Sequence, residues 1–301
     1  MLIGLIHMRL KELMRRQNIE TAKKLLKVAR DKGVKLAILP SLFPVGNVIE
    51  VYDNSKRLKG IVKNLSEKIP GEATETFIDL ATEAQIYLIA GSIIEQAGPK
   101  LFVTTLIVSP QGEILGKYRK MAISERERNL GISTGKEPTY ITLDHRYGLI
   151  TEDDIFVPEV SRILRYKGVS VILGTLKPYP LPPEVIKSVS VARAIEEETP
   201  FIMVGQEVED RDGNLLGSAP SIVTLPDGSI YREADEPNTV LTVETNVLIQ
   251  ETSKARKVVD LSSDDTVIRL CKGIRKIKED KEKKSKEKEI KEEELEEEEE
   301  E

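Results

Sequence analysis

Apolar positions in the first half of the chain recur at spacings typical of alternating strands and helices. Residues 1–8 form an apolar run that predicts an opening strand. Between residues 21 and 32 apolar side chains return every three to four positions, which predicts an amphipathic helix. Its predicted core face consists of Ala22, Leu25, Leu26, Val28 and Ala29. The apolar runs at 36–43 and 101–108 predict further strands, and a turn signal follows the second run at 110–113.

A later stretch joins an apolar run to a sharp acidic turn. Residues 147–151 predict a buried strand, and three consecutive acids follow at 152–154. A helix is then predicted through Ile163 and Leu164, and the next apolar run occupies 169–173. This order predicts a strand, turn, helix, strand unit. In such units the residue at the carboxyl end of the first strand lies in a crevice, where α/β proteins usually place their sites.

The acidic turn resembles the nucleophile turn of the nitrilase (carbon-nitrogen hydrolase) superfamily, whose pattern is roughly Gly-Leu-x-x-Cys-Tyr-Asp-x-x-Phe-Pro-Glu. The matching positions are Gly148, Leu149, Asp154, Pro158 and Glu159. The cysteine position holds Glu152. A carboxylate is a far poorer nucleophile than a thiolate toward an amide, and its acyl product would be an unstable anhydride.

Further motifs carry the same resemblance over residues 1 to about 250. The stretch 39–43 is similar to the family's Leu-Pro-Glu-x-Phe, with Ser41 at the position of the first catalytic glutamate. Residues 116–120 match Gly-Lys-Tyr-Arg-Lys, and the resemblance makes Lys120 the lysine that steadies the oxyanion. Residues 192–196 resemble the family's Arg-Ala-Ile-Glu helix, and residues 217–218 and 225–228 match its late hairpin.

The resemblance implies a degenerate site around Lys120 and Glu152, with Ser41 at the family glutamate position. A second family glutamate is expected between Lys120 and Gly135, and both Glu125 and Glu127 are candidates. Since a buried lysine is costly without an opposite charge, Lys120 and Glu152 are expected to form an ion pair. The accessory residues of this predicted site are Glu127, Asp153 and Asp154.

Neither a metal nor a cofactor is expected. Three consecutive acids in a turn rarely all converge on one ion, and His7 and His145 show no ligand spacing. Residues 210–214 superficially resemble a calcium loop but lack its downstream glutamate, so a hairpin turn is predicted there.

The resemblance also implies a fold and an assembly. The fold class is α/β, a four-layer α-β-β-α sandwich of the nitrilase type, with a C-terminal helix and charged tail added. Family members pair through helices next to the nucleophile turn. The helix at 158–166 is therefore the expected contact of a homodimer or a higher homo-oligomer.

Composition divides the chain into three predicted regions. Residues 1–261 form the nitrilase-like domain, 262–278 an amphipathic helix containing the single cysteine Cys271, and 279–301 a disordered tail rich in Lys and Glu. The net charge is -6 and largely reflects this tail, so no nucleic-acid partner is expected. No apolar run reaches membrane-spanning length, so no membrane partner is expected. One cysteine fits a reducing cytoplasm. The Lys and Glu content without Trp resembles that of hyperthermophile proteins.

Two functions stay open on the sequence. The first is a catalytically degenerate family member with a binding, regulatory or scaffolding role, with a small-molecule ligand in the old pocket or a protein partner at the acidic tail. The second is a carbon-nitrogen hydrolase, amidase-like, that works without cysteine. In it Lys120 would stabilise the oxyanion and Glu152 would act as general base on water.

Overall fold

Two β-sheets stacked face to face carry the described part of the chain. A computed structural model describes residues 1–52, 55–234 and 236–254, together with 269, 272, 273, 275, 276 and 279. The chain divides into two compact units, Met1–Ala255 and Arg256–Glu301. In the second unit the described positions are helical and exposed. The rest of the predicted 262–278 helix, including Cys271, and almost all of the predicted tail lie outside the described residues.

The first unit begins with strands and helices that alternate along the chain. The elements of its first half are β1 (Leu2–Lys11), α1 (Arg15–Asp31), β2 (Leu36–Ile38), α2 (Val48–Val51), α3 (Ser55–Leu65), α4 (Glu72–Ala84), β3 (Tyr87–Ala97), β4 (Lys100–Val108), β5 (Ile114–Arg119) and α5 (Glu125–Asn129). The second half contains β6 (Tyr140–Thr142), β7 (Arg146–Thr151), a 3-10 turn (Glu152–Phe156), α6 (Pro158–Tyr166), β8 (Val171–Thr175), α7 (Pro183–Glu197), β9 (Phe201–Val204), β10 (Gln206–Glu209), β11 (Leu215–Ser218), β12 (Ile222–Thr224), β13 (Ile230–Glu233), β14 (Thr239–Glu244) and α8 (Thr245–Lys254).

Strand pairing sorts these elements into two sheets of mixed direction. The eight-stranded sheet has the order β11-β10-β1-β2-β3-β4-β5, and β14 pairs with β1 beside this path. The six-stranded sheet has the order β13-β12-β9-β8-β7-β6. β7, β8 and β9 are parallel neighbours, so their carboxyl ends meet at one edge.

Three apolar cores alternate with the sheets and confirm the predicted α-β-β-α sandwich. Leu26 of α1 and Phe77 of α4 pack on the outer face of the larger sheet. Leu5 and Leu149 lie in the core between the two sheets. Leu164 of α6 packs with the smaller sheet, and α7 joins the same core. Each sheet is thus buried on both faces, which explains why its strands read as nearly continuous apolar runs.

Several local predictions need correction. The helix predicted at 21–32 begins at Arg15, and its Val28 is 43% exposed because it lies on the solvent face of α1. The long run at 36–43 forms a strand only over Leu36–Ile38. The sequence did not predict α8. Residues 210–214 form the predicted hairpin turn between the antiparallel strands β10 and β11.

None of the described helices is both long enough and apolar enough to cross a bilayer.

Candidate functional site

Lys120 lies at the centre of a buried cluster of carboxylates. It follows β5 directly, and its side chain is fully enclosed. Its Nζ lies 2.6 Å from Glu127 Oε1, 2.7 Å from Glu152 Oε2 and 2.6 Å from Asp153 Oδ2. An ammonium has three N–H donors, so these three contacts use all of them. We call Lys120, Glu127, Glu152 and Asp153 the central cluster.

Glu152 occupies the tip of the turn after β7, where the sequence predicts it. Its backbone has φ +52°, a left-handed conformation that costs a residue with a Cβ on the order of 1–3 kcal/mol. This conformation turns the chain sharply from the strand into the 3-10 turn. The predicted approach of Glu152 to Lys120 is therefore present, and Glu152 is only 1% exposed.

The second oxygen of Glu152 is also occupied. Its Oε1 accepts a very short hydrogen bond from the Ser41 hydroxyl and a 3.1 Å bond from Asn47 Nδ2. Asn47 also donates to Ser41 Oγ at 2.9 Å. Ser41 is fully buried and bonds the Glu152 oxygen that Lys120 does not contact. The carboxylate of Glu152 thus has protein donors on both oxygens.

Glu127, and not Glu125, is the candidate glutamate that reaches Lys120. α5 begins with a capping box in which Ser124 Oγ accepts from Glu127 N and Glu127 Oε2 accepts from Ser124 N at 2.7 Å. This box holds one oxygen of Glu127 and leaves the other for Lys120. Glu125 is exposed on the same short helix.

The side chains of the three consecutive acids at 152–154 point in two different directions. Glu152 and Asp153 face Lys120, so two of the three neighbours converge on one cation. Asp154 does not. It accepts from Tyr118 OH at 2.7 Å and from the backbone N–H of Ala122 at 2.7 Å. It also caps the turn by accepting from Thr151 N at 2.9 Å, and so ties the turn to the chain after β5.

Sequence reasoning missed a second lysine. Lys177 follows β8 and is 2% exposed. Its Nζ lies 2.7 Å from Asp153 Oδ2 and 2.7 Å from Glu50 Oε1. Asp153 therefore bridges Lys120 and Lys177. The only sequence signal was a lysine directly after a buried apolar run, which solvated lysines also show.

The site carries more acid than base. The four carboxylates Glu50, Glu127, Glu152 and Asp153 face two ammonium groups, Lys120 and Lys177. Such an excess of buried negative charge is unfavourable unless a proton or a cation balances it.

The pKa directions follow from this charge balance. Burial acts to lower the pKa of Lys120, but the fields of Glu152, Asp153 and Glu127 outweigh burial and raise it. Burial raises the pKa of Glu127, and repulsion from Glu152 adds to this shift against the opposing pull of Lys120. For Asp153 the effect of burial is outweighed by the two lysines, which lower its pKa.

The carboxylates also have the spacing of a metal site. Ligand oxygens of Glu127, Glu152 and Asp153 lie within 4.8 Å of one another. The ammonium of Lys120 already bonds all three residues, so it takes the position that a cation would need. A metal ion could enter only by displacing Lys120, and this donor set therefore does not fit a resident metal.

The model of one known protein family matches most of this chain. The family model described as Carbon-nitrogen hydrolase matches residues 2–254. The chain belongs to the carbon-nitrogen hydrolase family. Both Lys120 and Glu152 lie inside the matched region.

Relatives and solved structures agree with this membership. A nitrilase of Pyrococcus abyssi is 28% identical over 230 residues, covering 73% of this chain and 79% of the relative. Omega-amidase NIT2-A of Xenopus laevis is 27% identical over 245 residues, covering 76% and 83%. The crystal structure of Saccharomyces cerevisiae Nit3, from branch 10 of the nitrilase superfamily, superposes with a TM-score of 0.72. Its identity is 18%, and the match covers 87% of this chain and 96% of Nit3.

The amidase of Nesterenkonia sp. AN1 provides a second structural match. A structure of this enzyme with acrylamide added at its active-site cysteine gives a TM-score of 0.69 at 20% identity, covering 81% of this chain and 92% of the amidase. At such identities the likeness establishes the shared fold.

Proposed function

We propose that this chain is a non-hydrolytic member of the carbon-nitrogen hydrolase family, with a binding, regulatory or scaffolding role. One observation carries the proposal. The ammonium of Lys120 donates to three carboxylates at 2.6 to 2.7 Å, and its own side chain is fully buried. In this proposal the central cluster stabilises the fold and does not hydrolyse an amide.

The donor count of Lys120 supports this proposal. Oxyanion stabilisation requires an N–H aimed at the oxygen that becomes charged during the reaction. All three donors of Lys120 are directed at Glu127, Glu152 and Asp153. A substrate oxygen would have to break one of these charge-assisted bonds before it could be stabilised, and such bonds are the strong ones in proteins.

The residues at the other two family positions support it as well. The Nesterenkonia amidase uses an active-site cysteine, whereas the corresponding motif here has Glu152. The only cysteine, Cys271, lies outside the described residues. Ser41 stands at the position of the family glutamate, and its hydroxyl donates a hydrogen bond to Glu152. A serine in this arrangement offers no base for a thiol.

An activity panel tests the proposal. Purified full-length protein and the variant Glu152→Ala would be incubated with a broad set of amides and nitriles, and ammonia release would be followed. The proposal predicts release no faster than in buffer for both proteins. Turnover by the wild type that disappears in Glu152→Ala would overturn it.

A non-thiol hydrolase is the second candidate, and the second lysine favours it. Lys177 brings another ammonium beside Asp153, so an oxyanion could find a donor without Lys120. In this alternative Glu152 would activate water. Its 1% exposure and its occupied oxygens weigh against that role. The activity panel separates the two functions because only the second predicts turnover.

We also propose that the protein pairs through α6, the helix next to the acidic turn. Ile163 on this helix is 42% exposed, so it presents apolar surface that pairing would bury. Ile195 on the neighbouring α7 is 43% exposed. Light scattering during size-exclusion chromatography should show a dimer or larger assembly, and Ile163→Glu should shift it toward monomer. A wild type that elutes as a monomer at all concentrations would contradict pairing.

A further inference from the structure

A buried carboxylate lies between α6 and α7, the two helices that pack on the smaller sheet. Glu197, in the last turn of α7, is fully buried. Its side-chain neighbours Ser161 and Arg162 belong to α6. Burial favours the neutral form of a carboxyl group, so an acid enclosed in this way is unusual. The proposed function gives Glu197 no role, and Glu197 is not part of the central cluster.

The surroundings of Glu197 do not stabilise a full negative charge. Arg162 Nε lies 3.1 Å from Glu197 Oε2, yet that oxygen accepts no hydrogen bond, so the N–H is not directed at it. Ser161 Oγ lies 3.5 Å from Oε1, beyond the range of a good O–H···O bond. The single hydroxyl proton of Ser161 is instead donated to Pro158 O at 3.0 Å. Among the described residues, an ionised Glu197 therefore has no well-formed donor on either oxygen.

A protonated Glu197 fits the same surroundings better. A neutral carboxyl group avoids most of the cost of burying a charge. Its O–H has Ser161 Oγ as an acceptor, while Ser161 continues to donate to Pro158 O. Burial raises the pKa of Glu197 to about 7, against the opposing field of Arg162.

The other charged groups around Glu197 have partners of their own. Glu196, which adds to the raised pKa by repulsion, pairs with Arg193 on the same helix. Arg165 of α6 lies 3.5 Å from Glu198. The strands of the smaller sheet add apolar side chains to this core. None of these described groups donates a hydrogen bond to Glu197, so its charge, when it forms, is only partly compensated.

We propose that Glu197 makes the α6–α7 interface a proton-dependent joint, closed while the carboxyl group is neutral and loosened when it ionises. The same two helices hold the acidic turn. α6 begins two residues after that turn, and Arg193 of α7 donates through Nε to Ile155 O within it at 3.0 Å. Loosening the joint therefore also affects the turn that carries Glu152. The proposal is independent of whether the central cluster has catalytic activity.

Hydrogen exchange of the full-length protein tests this inference. The exchange of the α6 backbone amides would be measured at about pH 6 and about pH 8, each divided by the intrinsic rate at that pH. With a pKa of about 7 in the closed joint and the ordinary 4.5 after opening, the protection of α6 should fall about tenfold between these conditions. Glu197→Gln imitates the neutral acid, so its protection should change by less than about twofold.

Glu184→Gln is the matched control. Glu184 is an exposed carboxylate in the first turn of α7, so this variant should show the same fall as the wild type. The C=O band of protonated carboxyl groups in the infrared spectrum gives a second readout. At about pH 6 the wild type should show a component of this band that is missing in Glu197→Gln.

Three results would overturn the inference. The first is unchanged protection of α6 in the wild type between the two pH values. The second is an equal fall of protection in Glu197→Gln, because the pH dependence would then come from another group. The third is an identical band of protonated carboxyl groups in the wild type and Glu197→Gln, which would show that Glu197 is ionised in the closed joint.

Discussion

One five-residue motif, residues 116–120, contributes to two charge clusters of opposite composition. Lys117 and Arg119 project from the same face of β5 and lie 2.8 Å and 2.7 Å from Glu95 Oε1. We call these three residues the Glu95 cluster. The next residue, Lys120, enters the central cluster instead. The Glu95 cluster has one carboxylate for two cations, whereas three carboxylates surround Lys120.

The two clusters differ in exposure and in charge balance, and only the Glu95 cluster has the features of an ordinary stabilising ion pair. In the Glu95 cluster the side chains of Lys117 and Arg119 are 42% and 26% exposed, so water solvates the excess positive charge. Burial acts to raise the pKa of Glu95, but its bonds to Arg119 and Lys117 outweigh this and lower the pKa to about 2. The central cluster has excess negative charge, and all of its side chains except Asp153 are almost fully buried. An arrangement with this imbalance is expected at a former or present functional site.

Removing the lysine of each cluster should give the largest contrast. Lys120→Met leaves Glu127 and Glu152 buried without their cation, while Asp153 keeps Lys177, and we expect a loss of about 3–5 kcal/mol in the free energy of unfolding. Lys117→Met removes a partly exposed ammonium while Arg119 still pairs with Glu95, and should cost less than about 1 kcal/mol. Urea unfolding of both variants provides the measurement. Similar losses in the two would remove the distinction between the clusters.

Neutralising Glu152 should have a smaller effect. Glu152→Gln keeps the shape and an acceptor oxygen for Ser41, but its NH2 group cannot accept from Lys120, which then retains only Glu127 and Asp153. We expect a loss of about 1–2 kcal/mol in the free energy of unfolding. Glu125→Gln, on an exposed position of α5, is the control and should change it by less than about 0.5 kcal/mol. Unchanged thermal and urea stability of Glu152→Gln would refute a stabilising ion pair.

The pH dependence of stability should differ in sign between the clusters. Glu95 has a folded pKa of about 2, below its usual 4.5, so its contribution is complete above pH 4.5 and is lost as pH falls toward 2. Glu127 has a raised pKa, so its contribution is complete below pH 4.5 and is lost as pH rises through its folded pKa. These are the subtlest expected effects.

Two variants separate these contributions. Urea unfolding between about pH 3 and pH 8 should show less acid destabilisation in Glu95→Gln than in the wild type. In Glu127→Gln the decline of stability on the alkaline side of pH 4.5 should be smaller. If both variants had the same pH profile of stability as the wild type, neither carboxylate would have the proposed pKa shift.

The sequence predicted the positions that a local motif specifies. Lys120 and Glu152 each follow a strand in a recognisable stretch, so their meeting was expected once the two sheets were assumed to stack. Glu127 could have been preferred over Glu125, because Ser124 with Glu127 three residues later has the spacing of a capping box. That box explains why Glu127 turns inward.

Other contacts depended on tertiary structure that no local pattern reveals. Lys177 and Glu50 are 127 residues apart and meet only because the fold brings the end of β8 next to α2. The orientation of the Asp154 side chain could not be predicted from the sequence either, because it is set by donors from Tyr118 and the backbone after β5. The register of packed sheets decides such contacts, and side-chain type alone does not.

Ammonia release from an amide panel, measured side by side for the wild type, Glu152→Cys and the double variant Ser41→Glu with Glu152→Cys, tests the central claim most directly. The claim is that the fold retains the family's geometry, and that Glu152 and Ser41, in place of the family's cysteine and glutamate, prevent hydrolysis. The account predicts no release by the wild type and detectable release only when both family residues are restored. Release by the wild type at a rate equal to or above that of the double variant would contradict it.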